Sequence, residues 1–280
     1  MAKKNFNVIG IHCTGVLSSA CLISNGKLVY GSPEERLSRV KNDSNFPILT
    51  IRHILEKFKL KLNDIDYFAI GWNAGENVSS RFREKFSAHA RYPGDFLTSI
   101  PNHILTLVEK KKINQTLISF LGDAKSKIVF IDHHMSHLQL GLETGNFSNA
   151  AVISTDAWGE SKCTVLYNYK NKKVKTFKYF SLPNSIGCFY GAMTNFLGFT
   201  PLSDEWKVMG MAAYGNYKKV NKKFFNLIKI LPNGEYQLDL KYFDFYNYET
   251  KNWYSENLSQ MLGSCRGKNE KIKQRHYDIA

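Results

Sequence analysis

The sequence predicts an α/β fold with two similar halves, each in the order strand, strand, strand, helix, strand, helix, and with the second half incomplete. Two observations lead to this prediction. Near the amino terminus, three short apolar segments precede a segment with helical spacing and then a further apolar segment. From about residue 126 a similar order begins again. The composition agrees, because 43% hydrophobic and 22% charged residues over 280 positions are typical of globular proteins and exclude a disordered chain or a coiled coil.

The first half is expected within residues 1–125. Its predicted elements are, in order, strands at 7–12, 19–24 and 27–30, a short helix at 34–39, a helix after Pro47, a strand at 64–71 and a helix at 104–120. Asn25-Gly26 favours a hairpin turn between the second and third strands, because both turn positions take a positive φ. The helix after Pro47 is predicted from apolar residues at helical spacing, such as Ile51, Ile54 and Phe58.

The second half is expected within residues 126–280, with insertions. Its predicted elements are a strand at 128–132, a helix from His133, a strand at 150–156, hairpin arms at 164–167 and 174–177, a helix at 185–197, a basic helix at 218–231, a hairpin arm at 236–245 and the start of a helix at 274–280. Three antiparallel strands, a helix and a further strand form the order of a ribonuclease-H-like half of an actin-like ATPase. In such α/β layers ligands bind at the carboxyl ends of strands.

Charge and cysteine content narrow the classes of partner and compartment. The net charge is +14, but the basic residues are spread along the chain without a basic stripe or recognition motif, so nucleic acid is not expected as the main partner. Five cysteines without a CxxC motif indicate a reducing compartment rather than a disulfide framework. The sequence contains no segment of membrane-spanning length. We therefore expect a cytoplasmic protein.

Three residues form a candidate metal site. His133 and His137 stand four apart at the start of a predicted helix, so both imidazoles lie on one helix face, as two ligands of one metal would. Asp156 ends a neighbouring predicted strand and adds a carboxylate. Two histidines and a carboxylate suit non-haem Fe(II) or another divalent ion. The alternative is a polar helix start with one buried, hydrogen-bonded histidine.

Other polar residues are candidates for binding anions. Gly159 and Glu160 follow Asp156 in a turn that allows close approach of a phosphate or a metal, although a simple strand-ending turn would look the same. Arg39 and Lys41 could bind phosphate or carbamoyl oxygens, or form part of a solvated basic face. A further set of charged residues could form a local ion-pair cluster without a catalytic role: Asp204, Glu205 and Lys207.

Several motifs occur together in one order. They are Gly10-Ile11-His12 with Ser18-Ser19-Ala20-Cys21; Glu34-Glu35-Arg36-Leu37-Ser38-Arg39 with Lys41; His133-His134-Met135-Ser136-His137; Asp156 with Gly159-Glu160; Ser185-Ile186-Gly187; Asp204-Glu205-Trp206-Lys207-Val208-Met209-Gly210; and Gln274-Arg275-His276 with Asp278-Ile279-Ala280. Together they resemble the carbamoyltransferases of the NodU type, which include O-carbamoyltransferases. The resemblance spans the whole chain.

The resemblance implies a reaction whose steps are divided between two domains. In that family an amino-terminal actin-like domain is followed by a YrdC-like domain, which makes carbamoyl-adenylate from carbamoyl phosphate and ATP. The actin-like domain holds this intermediate beside an Fe(II)-type metal and passes the carbamoyl group to the hydroxyl of a small-molecule acceptor in a biosynthetic pathway. A metal beside the adenylate neutralises charge as the carbamoyl group leaves.

Carried over residue by residue, the resemblance implies specific roles. His133, His137 and Asp156 correspond to metal ligands, and Lys41 to a catalytic residue that binds the intermediate. The remaining matches are expected to contribute to binding of the nucleotide intermediate: Arg39, Gly159, Glu160, Gly187 and Lys207.

Two departures from the family pattern matter. Val16 and Leu17 stand where the family has a His-Asp pair, whose histidine resembles a general base, and neither can move a proton. His12 is the nearby side chain that could substitute. Ala157 also replaces the usual glycine. By the same resemblance we expect the rest of the actin-like domain and the YrdC-like domain to lie beyond Ala280 or to act in trans, so the chain alone is not expected to make carbamoyl-adenylate.

Two other functions remain open. The first is a non-catalytic relative that binds nucleotide or metal and has lost its general base, as Val16 and Leu17 suggest. The second is a different actin-like kinase, which the paired histidines disfavour because simple sugar phosphorylation has no role for them.

Overall fold

The computed structural model describes residues 5–13, 17–71, 120, 128–246 and 251–280. These residues belong to two compact units, and the division falls between Gln139 and Leu140. Among the described helices, none has the length and apolar character needed to cross a membrane.

The first unit contains a five-stranded sheet. Its strands are β1 (Asn7–His12), β2 (Ser19–Ser24), β3 (Lys27–Pro33), β4 (Tyr67–Ile70) and β5 (Ile128–Phe130), in the spatial order β3-β2-β1-β4-β5. The first three strands pair antiparallel, and β4 and β5 add in parallel. Asn25 and Gly26 both have positive φ, 52° and 79°, as the hairpin turn requires. This order confirms the ribonuclease-H-like half that the sequence predicted.

Two helices follow the meander of the first unit, α1 (Glu35–Ser38) and α2 (Ile48–Lys57). Ile51 and Ile54 on α2 are fully buried, and they join the core formed by apolar side chains of β1, β2 and β4. The start of α2 lacks a side-chain cap at Pro47. Instead, the buried carboxylate of Glu34 accepts hydrogen bonds from the backbone N–H groups of Leu49 and Thr50 and from the Thr50 hydroxyl, at 2.9, 2.9 and 2.6 Å.

The boundary expected at 125/126 lies outside the described residues. β5 lies in the first sheet beside β4, and the division falls within the next helix, α3 (His133–Gly145). The helix predicted at 104–120 lies outside the described residues, apart from Phe120, which is helical.

The second unit begins with another antiparallel meander, β6 (Asn149–Thr155), β7 (Lys162–Lys170) and β8 (Lys173–Ser181), in that spatial order. Two short strands, β9 (Ile228–Leu231) and β10 (Glu235–Leu238), form a separate hairpin. The helices of this unit are α4 (Ile186–Phe196), α5 (Glu205–Ala212), α6 (Asn221–Phe224), α7 (Glu256–Leu262) and α8 (Gln274–Ile279). The core of the unit is rich in aromatic and leucine side chains, and Phe196, Phe243 and Leu258 are fully buried in it.

The prediction of a basic helix at 218–231 is wrong. Only the four residues of α6 form an α-helix there, and β9 then pairs with β10. Pro232 explains part of the difference, because the residue before a proline is restricted to extended conformations. Asn233 and Gly234 take φ of 64° and 71° and close the turn between the strands, so pairing with β10 outweighs the helical spacing of the apolar residues.

A buried histidine makes the stability of the second unit depend on pH. His276 on α8 is fully buried; its Nδ1 accepts the N–H of Lys273 at 3.0 Å, and its Nε2 has no hydrogen-bond partner among the described residues. Burial, and secondarily the nearby Arg275, lowers the pKa of His276. The unfolded chain therefore binds the proton more readily, so stability is lost as the pH falls below about 6.5, the unfolded value.

We expect the urea midpoint of unfolding to fall between pH 7.5 and pH 5.5, and to fall less in His276→Gln. The glutamine cannot take up a proton in this range but can still accept the Lys273 N–H. The matched control is His53→Gln, because His53 is half-buried and packs at a tilt beside Tyr30 in the first unit. Equal pH slopes for the wild type and His276→Gln would contradict the prediction.

Candidate functional site

The two histidines predicted as metal ligands share one face of α3. The Asp132 carboxylate caps the helix start by accepting the Met135 N–H at 2.8 Å, so both histidines lie in its first two turns. The Nε2 atoms of His133 and His137 are 3.1 Å apart, and the ring centroids 4.5 Å. Two nitrogen ligands about 2.0–2.1 Å from one ion lie roughly 3 Å apart. This spacing therefore suits a shared ion as well as a hydrogen bond between the rings.

His134, between them, is fully buried, whereas His133 is half-buried and His137 is exposed. The helix start thus contains both features that the sequence left open, a buried histidine and a pair of accessible imidazoles. Because His134 is buried, it is not a candidate metal ligand beside His133 and His137.

Asp156 lies in the second unit, at the end of β6. Its backbone N–H donates to the Cys163 carbonyl at 2.9 Å, and its Oδ1 accepts the Ala157 N–H at 2.7 Å. Gly159 donates its N–H to the Lys162 carbonyl at 2.6 Å. The segment is therefore a tight turn between β6 and β7.

The turn after β6 also contains the two neighbouring residues that the sequence predicts to lie close to a phosphate or a metal. Gly159 and Glu160 are both buried. Their burial shows that the turn does not stand free in solvent.

The start of α4 packs against the end of β6. Ser185 caps α4, since its Oγ accepts the Cys188 N–H at 3.0 Å, and the same Oγ donates to the Ala157 carbonyl at 2.5 Å. A Cβ added at Gly187 would lie 2.4 Å from the Ala157 nitrogen and 2.5 Å from the Asp156 carbonyl carbon and oxygen. Close backbone packing alone therefore requires glycine at 187, a residue that the sequence placed in nucleotide binding.

The loop that carries Arg39 and Lys41 exposes both side chains. Arg39 ends α1 with φ 61°, and the Asn42 N–H donates to the Glu35 carboxylate at 2.9 Å. The loop is also tied to the chain before β2, because the N–H and Oγ of Ser18 both donate to the carbonyl of Asp43, at 2.8 and 3.1 Å. Two accessible cations thus stand on an anchored loop.

The candidate base positions lie in the chain between the end of β1 and the start of β2. His12 is the last residue of β1, half-buried and opposite Ser19 on β2. Leu17 is half-buried, and Val16 lies outside the described residues. His12 therefore stands at the carboxyl end of a central strand, where ligands of α/β folds bind.

Lys207 has a local partner. Its Nζ lies 2.7 Å from the Asp204 carboxylate, and it stands over the rings of Phe199 and Trp206 at 5.6 and 5.4 Å. The hydrogen bond from Lys207 is the main cause of a lowered pKa of Asp204. The structure thus contains the local ion pair that the sequence offered as the alternative to nucleotide binding.

Two buried cysteines lie near the end of β6. Burial raises the pKa of the Cys163 and Cys188 thiols to about 12. In the metal-free protein both thiols are therefore protonated at neutral pH and are weak nucleophiles.

Sequence reasoning missed the contacts that hold the end of β6. Ser185 before an apolar helical segment signals a helix cap, but nothing in the sequence shows that it reaches a carbonyl 28 residues earlier. The anchoring of α2 by Glu34 was missed for the same reason.

Comparison with known proteins identifies a family. The family model described as "Carbamoyltransferase N-terminus" matches residues 7–280. The uncharacterized protein sll1178 of Synechocystis is 28% identical over 98% of this chain, which covers 45% of that protein. The nodulation protein NolNO of Sinorhizobium fredii is 27% identical over 79% of this chain, which covers 31% of that protein. The chain thus spans less than half the length of these relatives.

Solved structures include distant matches. YeaZ from Pseudomonas aeruginosa superposes with a TM-score of 0.35 and 13% identity, over 64% of this chain and 68% of that protein. The fold assignment rests on the strand order of the first unit rather than on this likeness.

Proposed function

The chain belongs to the family of carbamoyltransferase amino-terminal domains, and we propose that, within a longer protein, it transfers a carbamoyl group from carbamoyl-adenylate to the hydroxyl of a small-molecule acceptor in a biosynthetic pathway. The observation that carries this proposal is the family match over residues 7–280. The relatives that extend well beyond the matched region agree with a second, adenylate-forming domain outside this sequence.

The proposed metal is Fe(II) or another divalent ion, held by His133, His137 and Asp156. These are among the described side chains that could hold an ion, each offering one ligand atom. The fit rests on the donor chemistry and on the 3.1 Å between the two Nε2 atoms. When bound, the ion supplies positive charge that stabilises charge on the phosphate and carbamoyl oxygens.

The residues of the chain have distinct proposed roles in the transfer. Arg39 and Lys41, as exposed cations on an anchored loop, bind the anionic intermediate. The acceptor oxygen forms a bond to the carbamoyl carbon, the bond from that carbon to the phosphate oxygen breaks, and AMP leaves with the electron pair. The acceptor proton goes to a base, for which His12 is the proposed residue in place of the family histidine.

The proposal requires a partner domain. Carbamoyl-adenylate comes from ATP and carbamoyl phosphate on a YrdC-like domain, in cis or in trans, and the protein works in the cytoplasm. Nucleic acid and membranes have no role in this proposal.

A second candidate function is a non-catalytic relative that binds nucleotide or metal. The observation that favours it is the presence of Val16 and Leu17 where the family has His-Asp. Both functions predict metal binding, so only a transfer assay separates them.

The test is carbamoyl transfer by the chain together with its YrdC-like domain. Carbamoyl-labelled carbamoyl phosphate, ATP and a fractionated small-molecule extract of the source cells are incubated with the wild type and with V16H/L17D. We expect label in an acceptor and stoichiometric AMP from the wild type. Transfer that appears only in V16H/L17D would support the non-catalytic relative, and phosphorylated sugar without carbamoylated product would indicate a kinase.

A further inference from the structure

Ser185 joins the start of α4 to the end of β6. Its side chain is fully buried. The Oγ accepts the Cys188 N–H at 3.0 Å, which caps the helix, and its proton faces the Ala157 carbonyl at 2.5 Å, with the Asp156 carbonyl farther away at 3.3 Å. A hydroxyl can do both at once because it carries one donor and two acceptor lone pairs. Ser185 therefore links the first turn of α4 to the backbone at the end of β6.

Ala157 connects Ser185 to the Asp156 carboxylate. The Ala157 N–H donates to Asp156 Oδ1 at 2.7 Å, so this N–H sets the orientation of the carboxylate. The carbonyl of the same residue is the one that Ser185 holds. A shift of Ala157 thus turns the carboxylate with it.

Three further contacts hold the backbone around Asp156 and Ala157 in place. The Cys188 thiol donates to the same Ala157 carbonyl at 3.4 Å. Gly187 lets the first turn of α4 lie directly on the Asp156–Ala157 backbone. On the other side, the Asp156 N–H is paired with the Cys163 carbonyl of β7 at 2.9 Å. The backbone at Asp156 is therefore fixed by both β7 and α4.

From this geometry we infer that Ser185 is a positioning residue, which holds the Asp156 carboxylate in the orientation needed to bind a divalent cation. The inference rests on the proposed role of Asp156 as a metal ligand. Groups that orient a ligand without touching the metal typically change metal affinity about 10–100-fold when they are removed. Loss of the Ser185 hydroxyl removes the shorter of two hydrogen bonds to the Ala157 carbonyl and loosens the carboxylate.

The test is titration of the full chain with Mn²⁺, at a temperature where circular dichroism shows every variant folded. We expect Ser185→Ala to weaken the affinity about 10–100-fold and Ser185→Thr, which keeps the hydroxyl, to restore most of it. The matched control is Ser255→Ala. Ser255 stands at the N-cap position of α7 and donates to the Lys241 carbonyl at 2.6 Å, and its loss should leave Mn²⁺ affinity unchanged.

Three outcomes would overturn the inference, and they are distinguishable. If Asp156→Asn weakens Mn²⁺ binding but Ser185→Ala does not, Ser185 has no positioning role and the metal site stands. If Asp156→Asn and His137→Ala both leave the affinity unchanged, the proposed metal site itself fails, and the inference with it. If Ser255→Ala weakens binding as much as Ser185→Ala, the effect is general destabilisation.

A second variant covers the case in which Ser185→Ala does not fold. Cys188→Ala keeps the backbone N–H that the helix cap uses and removes the thiol, with its weaker bond to the Ala157 carbonyl. We expect a smaller loss of Mn²⁺ affinity in the same direction, and an unchanged affinity would contradict the inference.

Discussion

Replacing Gly187 by alanine is expected to lower the free energy of unfolding of the second unit by about 1–3 kcal/mol or more, the usual cost of forcing extra atoms into a packed interior. The added Cβ would lie 2.4–2.5 Å from backbone atoms of Asp156 and Ala157, which no rotamer change can relieve. Either the start of α4 or the end of β6 must move. Urea denaturation measures the loss, and a Mn²⁺ titration should show weaker binding because the moved backbone carries the Asp156 carboxylate.

The control for this prediction is another helical glycine with open space around it. Gly210 lies on α5, and an added Cβ there would meet nothing within 4 Å. Gly210→Ala should stabilise the protein by roughly 0.5–1 kcal/mol, because alanine has the higher helix propensity. The two substitutions are chemically identical and are expected to change stability in opposite directions. A neutral effect of Gly187→Ala would show that the contact at Asp156 relaxes without cost.

The parts of the fold that the sequence predicted correctly depend on local signals. Asn25-Gly26 requires a turn with two positive φ values, and the apolar spacing of Ile51 and Ile54 requires a buried helix face, so both features are fixed by neighbouring residues. The failure at 218–231 came from a competition that spacing cannot resolve. The residues of β9 are compatible with a helix or with a strand, and they form a strand because they pair with β10.

The candidate site shows the same limit. The spacing of His133 and His137 is a local property of a helix, and the structure places their Nε2 atoms 3.1 Å apart. The contacts that hold the turn at Asp156 come from residues distant in the sequence. One of them comes from Ser185, which is 28 residues from the carbonyl that it holds, and a single sequence contains no record of that contact.

The two units place their candidate residues at corresponding points of similar meanders. His12 ends β1, the first strand of the first meander, and Asp156 follows β6, the first strand of the second. In α/β folds the carboxyl ends of such strands are where ligands bind. The positions of both residues thus follow from topology, which the sequence predicted, whereas their orientation depends on tertiary contacts.

Replacing His137 by alanine is expected to give the largest functional effect. An imidazole that binds the ion directly contributes more than the outer contacts, whose loss costs about 10–100-fold in affinity, so the variant should retain almost no bound metal. His137 is exposed, and its loss should therefore change the free energy of unfolding of the metal-free protein by no more than about 0.5 kcal/mol. The measurement is metal content by atomic emission after anaerobic reconstitution with Fe(II), alongside urea denaturation with a chelator.

The control for His137→Ala must remove a histidine without touching the pair on α3. His53→Ala serves, because His53 packs beside Tyr30 within the first unit, with a ring separation of 5.4 Å, and its loss should leave the metal content at the wild-type level. A metal content in His137→Ala equal to that of the wild type would remove the histidine pair from the site. The 3.1 Å contact between the rings would then be a hydrogen bond within the first turns of α3. Loss of metal in His137→Ala with unchanged stability would instead mean that the pair is retained for binding, since an exposed imidazole contributes little to the fold.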